Sequence, residues 1–230
     1  MSYKNNTVNI KETVLDKKNW LYCNSVADGE WHSLLQNLEK SKEKYLQHVS
    51  DRDVVVTAGG HIGMYAYFFA QHFKQVYAFE PDPLNFHCMV NNNQLDNVVK
   101  IQAALGDEHR LVNVGFGREG TRQSYKVQDN RILEGNFEAK TAPYIPLLMI
   151  DDLNLPKCDL IQLDVEDYEI YALKGATETL RRCRPTLILE NGGGSIMREF
   201  LYNFGYKQVD EVDADTIYTF HDSQWKIVFK

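Results

Sequence analysis

DVVVTAGGHIGMYAYFFAQHFKQVYAFEPDP, residues 53–83, changes its periodicity twice, and those changes decide the fold. Val54 to Val56 are β-branched throughout and too few for a helix, so they read as a strand buried on both faces. From Thr57 through Ala58, Gly59, Gly60, His61 and Ile62 to Gly63 the side chains shrink, which lets backbone turn tightly and a ligand come close to it. Met64, Tyr65, Tyr67, Phe68, Phe69 and Phe73 then recur at helical spacing, and Val76 to Phe79 form a second strand that closes on Glu80. The unit is strand, loop, helix, strand. An acid at the carboxyl end of its second strand stands where such units hold the two hydroxyls of a ribose, and this points to a nucleoside-containing cofactor.

The glycines admit more than one register. The dinucleotide fingerprint would fall on Ala58, Gly60 and Gly63, with alanine at the first of its three positions. Read instead as Gly59 and Gly63 with three residues between, the loop looks like the nucleoside loop of S-adenosylmethionine enzymes, whose ligand carries no pyrophosphate. A tight turn that binds nothing is the plain alternative, and Glu80 weighs against it.

Working outward, 230 residues suit one substantial α/β domain, with residues 1–50 as an arm and amphipathic helix belonging to it and 51–230 as its Rossmann-like body. Lys and Arg number 25 against 32 Asp and Glu, a formal charge of −7, with no basic run. A phosphate-backbone partner needs clustered positive charge, so no nucleic-acid partner is expected. Cys23, Cys88, Cys158 and Cys183 show no C-x-x-C pairing and read as free thiols in a reducing compartment. The amino-terminal MSYKNNTVNIKETVLDKK has no apolar signal core, and no window reaches the ~18 apolar residues of a membrane span. The expectation is a cytoplasmic protein without a membrane partner.

Residues 1–30 scatter Val8, Ile10, Val14, Leu15, Trp20, Leu21 and Tyr22 among polar neighbours, as an irregular or short-strand arm would. Trp31, Leu34, Leu35, Leu38, Tyr45, Leu46 and Val49 recur at three and four, giving an amphipathic helix packed on the sheet. After the opening unit, Pro83 starts a helix that ends among Asn91 to Asn93, and Val98 to Ala104 read as a third strand. Residues 108–142 suggest a hairpin excursion, and Tyr144 to Ile150 a short strand broken by Asp151, Asp152, Asn154 and Pro156. Cys158 to Val165 is a fourth core strand with Asp164 at its carboxyl end, where open α/β sheets bind ligands. Glu166 to Arg182 reads as one helix, and Thr186 to Leu189 as a fifth strand closing on Glu190 and Asn191. A helix through Ile196 and Phe204 ends at Gly205, Tyr206 to Val209 follow as a strand, and Thr216 to Phe220 with Trp225 to Phe229 form an antiparallel hairpin. Alternating strands and helices with such a hairpin imply a mainly parallel sheet covered on both faces, with an antiparallel strand near one edge.

Three blocks of this sequence, in order and spacing, resemble the FkbM-type methyltransferases, which use S-adenosylmethionine. They are TAGGHIGMY with VYAFEPDPLNF, then AALGD, then DLIQLDVEDYEIYALKGATETL with RPTLILE, spanning about residues 50–191. The resemblance implies a Rossmann-like class I methyltransferase fold with a mainly parallel seven-stranded sheet. It also implies methylation of an oxygen on a sugar or other small metabolite, with S-adenosylhomocysteine as product. Carried over by position, Gly59, Gly60, His61 and Gly63 would form the cofactor loop and Glu80 would bind the ribose. Ala104 and Leu105, with Asp107 nearby, would flank the adenine. Asp164 and Glu166 would stand at the mouth of the site. Two positions depart from the family pattern: Thr57 stands where aspartate is usual, removing an acidic contact to the methionine end of the cofactor, and Asp167 stands where glycine follows Glu166.

Transfer to a hydroxyl calls for a base within hydrogen-bond reach. Asp164 is the first candidate by position, and it equally suits the cofactor's amino group. His61 titrates near neutral pH, although a histidine in a glycine turn often serves only the backbone. Glu166 is a third candidate, with the alternative that it caps the helix beginning there. Asp151 and Asp152 could join Asp164 around a metal, but a turn explains the pair and no metal is expected. Glu190 and Asn191 could line the acceptor pocket. Two other functions stay open at this level: a nicotinamide-dependent oxidoreductase, from the register Ala58, Gly60, Gly63, and a non-catalytic binding protein on a methyltransferase scaffold, from Thr57 and Asp167.

Overall fold

The computed structural model describes residues 8–12, 19–23, 36, 38, 40–41, 43–119, 122–127 and 144–222. The chain opens with an antiparallel pair, β1 (Val8–Glu12) and β2 (Asn19–Cys23). A helix, α1, follows within residues 36–46. The expected unit then appears as β3 (Val54–Ala58), α2 (Met64–Ala70) and β4 (Gln75–Phe79), succeeded by α3 (Pro83–Asn92) and β5 (Val98–Ile101). Pro83 opens α3 where its missing N–H costs nothing, and Asp82 accepts from the Leu84 and Asn85 amides at 2.9 and 2.8 Å.

The chain then leaves the main sheet as β6 (Ala104–Leu105), β7 (Arg110–Glu119), β8 (Arg122–Val127) and β9 (Tyr144–Leu148), with a 3-10 turn at Ile150–Leu153. It returns through β10 (Leu160–Leu163), α4 (Glu169–Lys174), α5 (Thr177–Cys183), β11 (Thr186–Glu190), α6 (Ser195–Asn203), β12 (Tyr206–Val212) and β13 (Asp215–Phe220). Seven strands make the main sheet in the order β12-β13-β11-β10-β3-β4-β5, and β6-β9-β7-β8 make a smaller one. From β11 to β5 all neighbours are parallel, whereas β13 runs antiparallel to both β11 and β12. Strand order reverses between β3 and β10, so a crevice opens beyond their carboxyl ends.

Alternation along the strands divides the core. Val55, Leu160, Ile188 and Ile217 face Tyr45 and Leu46 of α1, Phe69 of α2, Met89 of α3 and Trp20 of β2. Val56, Ile161, Leu163, Leu187 and Leu189 face Leu173, Leu180 and Leu201 on α4, α5 and α6. Each such side chain, once fully buried, contributes about 1.5–3 kcal/mol.

Three elements differ from the sequence reading. The strand expected over Val98–Ala104 ends at Ile101, and Ala104–Leu105 pair instead with Leu147–Leu148 in the second sheet. Small apolar residues suit either sheet, so only the pairing reveals the handover. The single helix expected over Glu166–Arg182 starts at Glu169 and breaks at Gly175, where a Cβ would stand 1.9 Å from the Gly106 carbonyl oxygen. Asp151 restarts it as α5, accepting from the amides of Glu178 and Thr179. The closing hairpin lies one strand earlier than expected, between β12 and β13, because β11 and β12 occupy both edges of β13. Trp225–Phe229, like Trp31, Leu34 and Leu35, lie outside the described residues. Among the described residues no helix is long and apolar enough to cross a membrane.

Candidate functional site

The loop from Ala58 to Gly63 is held from three sides. Gly59, at φ +81, presses against β10: a Cβ there would lie 1.6 Å from the Asp164 carbonyl oxygen, and the Asp164 amide donates to the Ala58 carbonyl at 3.1 Å. Glycine is required on both counts, conformation and closeness. On the β4 side, the Gly60 amide donates to Phe79 O at 2.9 Å and the His61 amide to Glu80 Oε2 at 2.6 Å. From α3, Asn92 Nδ2 donates to Ile62 O at 2.8 Å and Asn93 Nδ2 to Gly63 O at 3.0 Å.

Glu80 is the keystone of this loop. It is 4 % exposed, and its second oxygen accepts from the Asp82 amide at 2.8 Å. Burial pushes its pKa up to about 8, and the two backbone donors pull against that rise. His61 takes a left-handed turn at φ +46; its Nδ1 is buried without a partner, and burial pushes its pKa down to about 4. The ring is therefore neutral at pH 7. Thr57 does not open on the loop: it is wholly buried and its Oγ1 donates to Gln162 Oε1, its register partner on β10.

Across the crevice, Asp164 follows β10 and Glu190 ends β11, and with Glu166 they bring one carboxylate oxygen each within 4.8 Å of one another. Burial, then the neighbouring Glu190, Glu166 and Asp215, raise the Asp164 pKa well above the usual carboxylate range. Glu166 precedes the helix rather than starting it, at φ +56 with Asp167 at +71; α4 begins at Glu169, whose Oε1 reaches back to accept from the Val165 amide at 2.9 Å.

The sequence reading missed Asp215 and the two tyrosines beside it. Asp215 begins β13 in register with Glu190 and accepts from Tyr45 OH at 2.6 Å, while burial and the charge of Asp215 raise the pKa of Tyr65 well above its usual range. Burial pushes Asp215 up to about 6. With the final hairpin placed one strand too late, nothing in the sequence puts Asp215 beside Glu190.

Gly59, Gly60, His61, Gly63, Glu80, Asp164 and Glu166 thus converge at the carboxyl ends of β3, β4 and β10. Ala104 and Leu105 are buried beyond the end of β5, Leu105 in the core with Phe79 and Ala104 against Val112, Ile145 and Leu147, and Asp107 follows in the next turn. Asp151 and Asp152 do not join the carboxylates: Asp151 caps α5, and Asp152 pairs with His109 at 2.7 Å and accepts from the Met149 amide at 2.8 Å. The described carboxylates close enough to share a cation are Asp164, Glu166 and Glu190.

Residues 58–208 match the family described as Methyltransferase FkbM domain. A relative described as Methyltransferase 1, from Beauveria bassiana (strain ARSEF 2860), is 27 % identical over 176 residues, covering 67 % of this chain and 71 % of its own. Among solved structures, Methyltransferase FkbM from Methylobacillus flagellatus KT is similar in fold, with a TM-score of 0.50 at 17 % identity. That similarity covers 85 % of this chain, which spans 56 % of the length of its counterpart.

Proposed function

Because this chain belongs to the FkbM methyltransferase family, we propose that it transfers a methyl group from S-adenosylmethionine to a hydroxyl of a sugar or other small metabolite, leaving S-adenosylhomocysteine. The observation that carries the reading is the meeting, at the β3/β10 crossing, of a glycine loop braced by Glu80 with the carboxylates of Asp164 and Glu190, which bring oxygens within 4.8 Å of each other. Family membership favours this over hydride transfer, and the acidic balance of the chain favours a small acceptor over a nucleic acid. Cys158 and Cys183 are free thiols, which supports placing the reaction in the cytoplasm.

The donor set fits the cofactor. Each oxygen of Glu80 takes one backbone N–H and keeps acceptor capacity for a ribose hydroxyl. Asp164 and Glu190 offer anionic oxygens to a cationic ligand end. When bound, the cofactor supplies a methyl on a positively charged sulfur. The chain's part is alignment, holding the acceptor oxygen in line for displacement. Asp164, once ionised, takes the acceptor's hydroxyl proton as that oxygen forms its new bond to carbon, and the burial that raises its pKa makes that ionised form a stronger base. His61, with its lowered pKa, is the weaker base, and its backbone serves the loop. Glu166 lines the rim.

Calorimetric titration with S-adenosylhomocysteine tests the reading. Micromolar binding is expected for the native chain, and Glu80→Ala should weaken it roughly ten-fold through lost hydrogen bonds to the ribose. An unchanged dissociation constant in Glu80→Ala would sink the ribose assignment.

A further inference from the structure

Three of the hydrogen bonds of Asn92 link the amino-terminal hairpin to the glycine loop. Its Oδ1 accepts from the Leu21 amide at 2.8 Å and its Nδ2 donates to the Leu21 carbonyl at 2.9 Å, so the side chain completes the free edge of β2 as a neighbouring strand would. The same Nδ2 donates its other hydrogen to Ile62 O at 2.8 Å, inside the glycine loop. Asn92 is 2 % exposed, so neither end of this bridge exchanges readily with water. Trp20, the neighbour of Leu21, is wholly buried and meets Tyr67 of α2 edge-on at 5.5 Å, seating the hairpin against the helix that the loop starts.

We propose that Asn92 is a positioning residue that couples the amino-terminal hairpin to the cofactor loop, so that seating of β2 and affinity for the cofactor rise and fall together. The hairpin lies outside the residues matched by the family model, 58–208, and this gives it a place in cofactor binding. The physical basis is the amide itself. One planar group serves three backbone partners, and losing Leu21 frees the amide to rotate away from Ile62. The Ile62 carbonyl then loses a buried donor, and the loop with its His61 and Gly63 amides is less firmly set before the ligand arrives.

The inference rests on the cofactor reading above, and Leu21→Pro tests it from the side remote from the loop. The substitution removes the N–H that Asn92 accepts and falls on the edge of β2 that β1 does not use, where proline is tolerated. In the variant, with its fold verified by circular dichroism, S-adenosylhomocysteine should bind about three- to ten-fold more weakly, the worth of one hydrogen bond. Without ligand, hydrogen exchange at the amides of residues 60–63 should quicken by a similar factor. Asn92→Ala should show both effects. Native affinity and native loop exchange in Leu21→Pro would overturn the proposal, even with a lowered melting temperature. So would a loss in Asn92→Ala that Leu21→Pro does not share, since Asn92 would then serve the loop alone. If the native chain binds no S-adenosylhomocysteine, the cofactor reading fails, and ligand-free exchange in the variant decides the coupling by itself.

Discussion

Glu166 and Asp167 sit one after the other in the left-handed region, at φ +56 and +71, where an L side chain crowds its own backbone and only glycine moves freely. The resemblance read from the sequence places glycine at 167, and the structure gives the reason for it. Replacing Asp167 with glycine should therefore stabilise the fold by about 0.5–1 kcal/mol net of the added freedom of the unfolded chain, read as a higher urea midpoint. A lower midpoint would show that the aspartate side chain contributes more than its backbone costs. Asp164→Asn should leave the fold intact and suppress turnover; rates equal to the native enzyme would exclude Asp164 as the base. At this scale the sequence was legible wherever backbone dictated the residue. Gly59 and Glu80 announced themselves because a crossing chain and a loop of amides admit little else. Thr57, which the resemblance places where an aspartate would meet the cofactor, is paired sideways with Gln162, a contact between two strands that no local pattern announced. Asp215 and Tyr45, 170 residues apart in the chain, carried no local signal at all.

Elements were legible by their apolar runs and obscured at their joints. The β-branched stretch Val54–Val56 and the run Leu160–Leu163 could be strands only, and they are neighbours in register. The joint between α4 and α5 was hidden, because Ile170, Leu173, Ala176 and Leu180 keep one helical spacing across a break caused by contacts elsewhere, those of Gly175 with Gly106 and of Asp151 with Thr179. Asp151 accepts two amides and the Thr179 hydroxyl, the last at 2.7 Å. Asp151→Ala should cost about 1–2 kcal/mol in chemical denaturation and leave cofactor affinity as it was. A drop in affinity as large as the drop in stability would tie α5 to the site.

Across the whole molecule, we propose a single domain, since Trp20, Tyr45 and Met89 share one core with Val55 of β3. The two ends of its main sheet differ in electrostatics. At the amino end, Lys157 and Lys74 hydrogen-bond Asp53 and pull its pKa down to about 2, a contribution present at neutral pH and lost only as pH falls below the usual carboxylate range. At the carboxyl end, burial lifts Glu80 and Glu169 to about 8, Asp215 to about 6, and Asp164 well above its ordinary value. Raised carboxylates bind protons more tightly in the folded chain than in the unfolded one, so their contribution is full below about pH 4 and drains away as pH climbs to about 8. His61, lowered to about 4, acts in the opposite sense between pH 4 and 6.5, one group against four. Melting temperature by scanning calorimetry should therefore be higher at about pH 5.5 than at about pH 8.5, and the reverse order would refute this balance.

The antiparallel course of β13 has a mechanical consequence. Parallel strands reach the rim of a sheet with their last residues, beyond which the chain runs into loops, as it does after Asp164. A strand that runs the other way reaches the same rim with its first residue and continues into the sheet. Asp215 is such a residue, laddered to Glu190 on one side and to Val212 on the other. The rim thus carries acids held in two ways: Asp164 and Glu166 stand in the segment that leaves β10 for α4, whereas Asp215 is laddered on both sides, so a change in that segment's path would move the first two and leave the third in place.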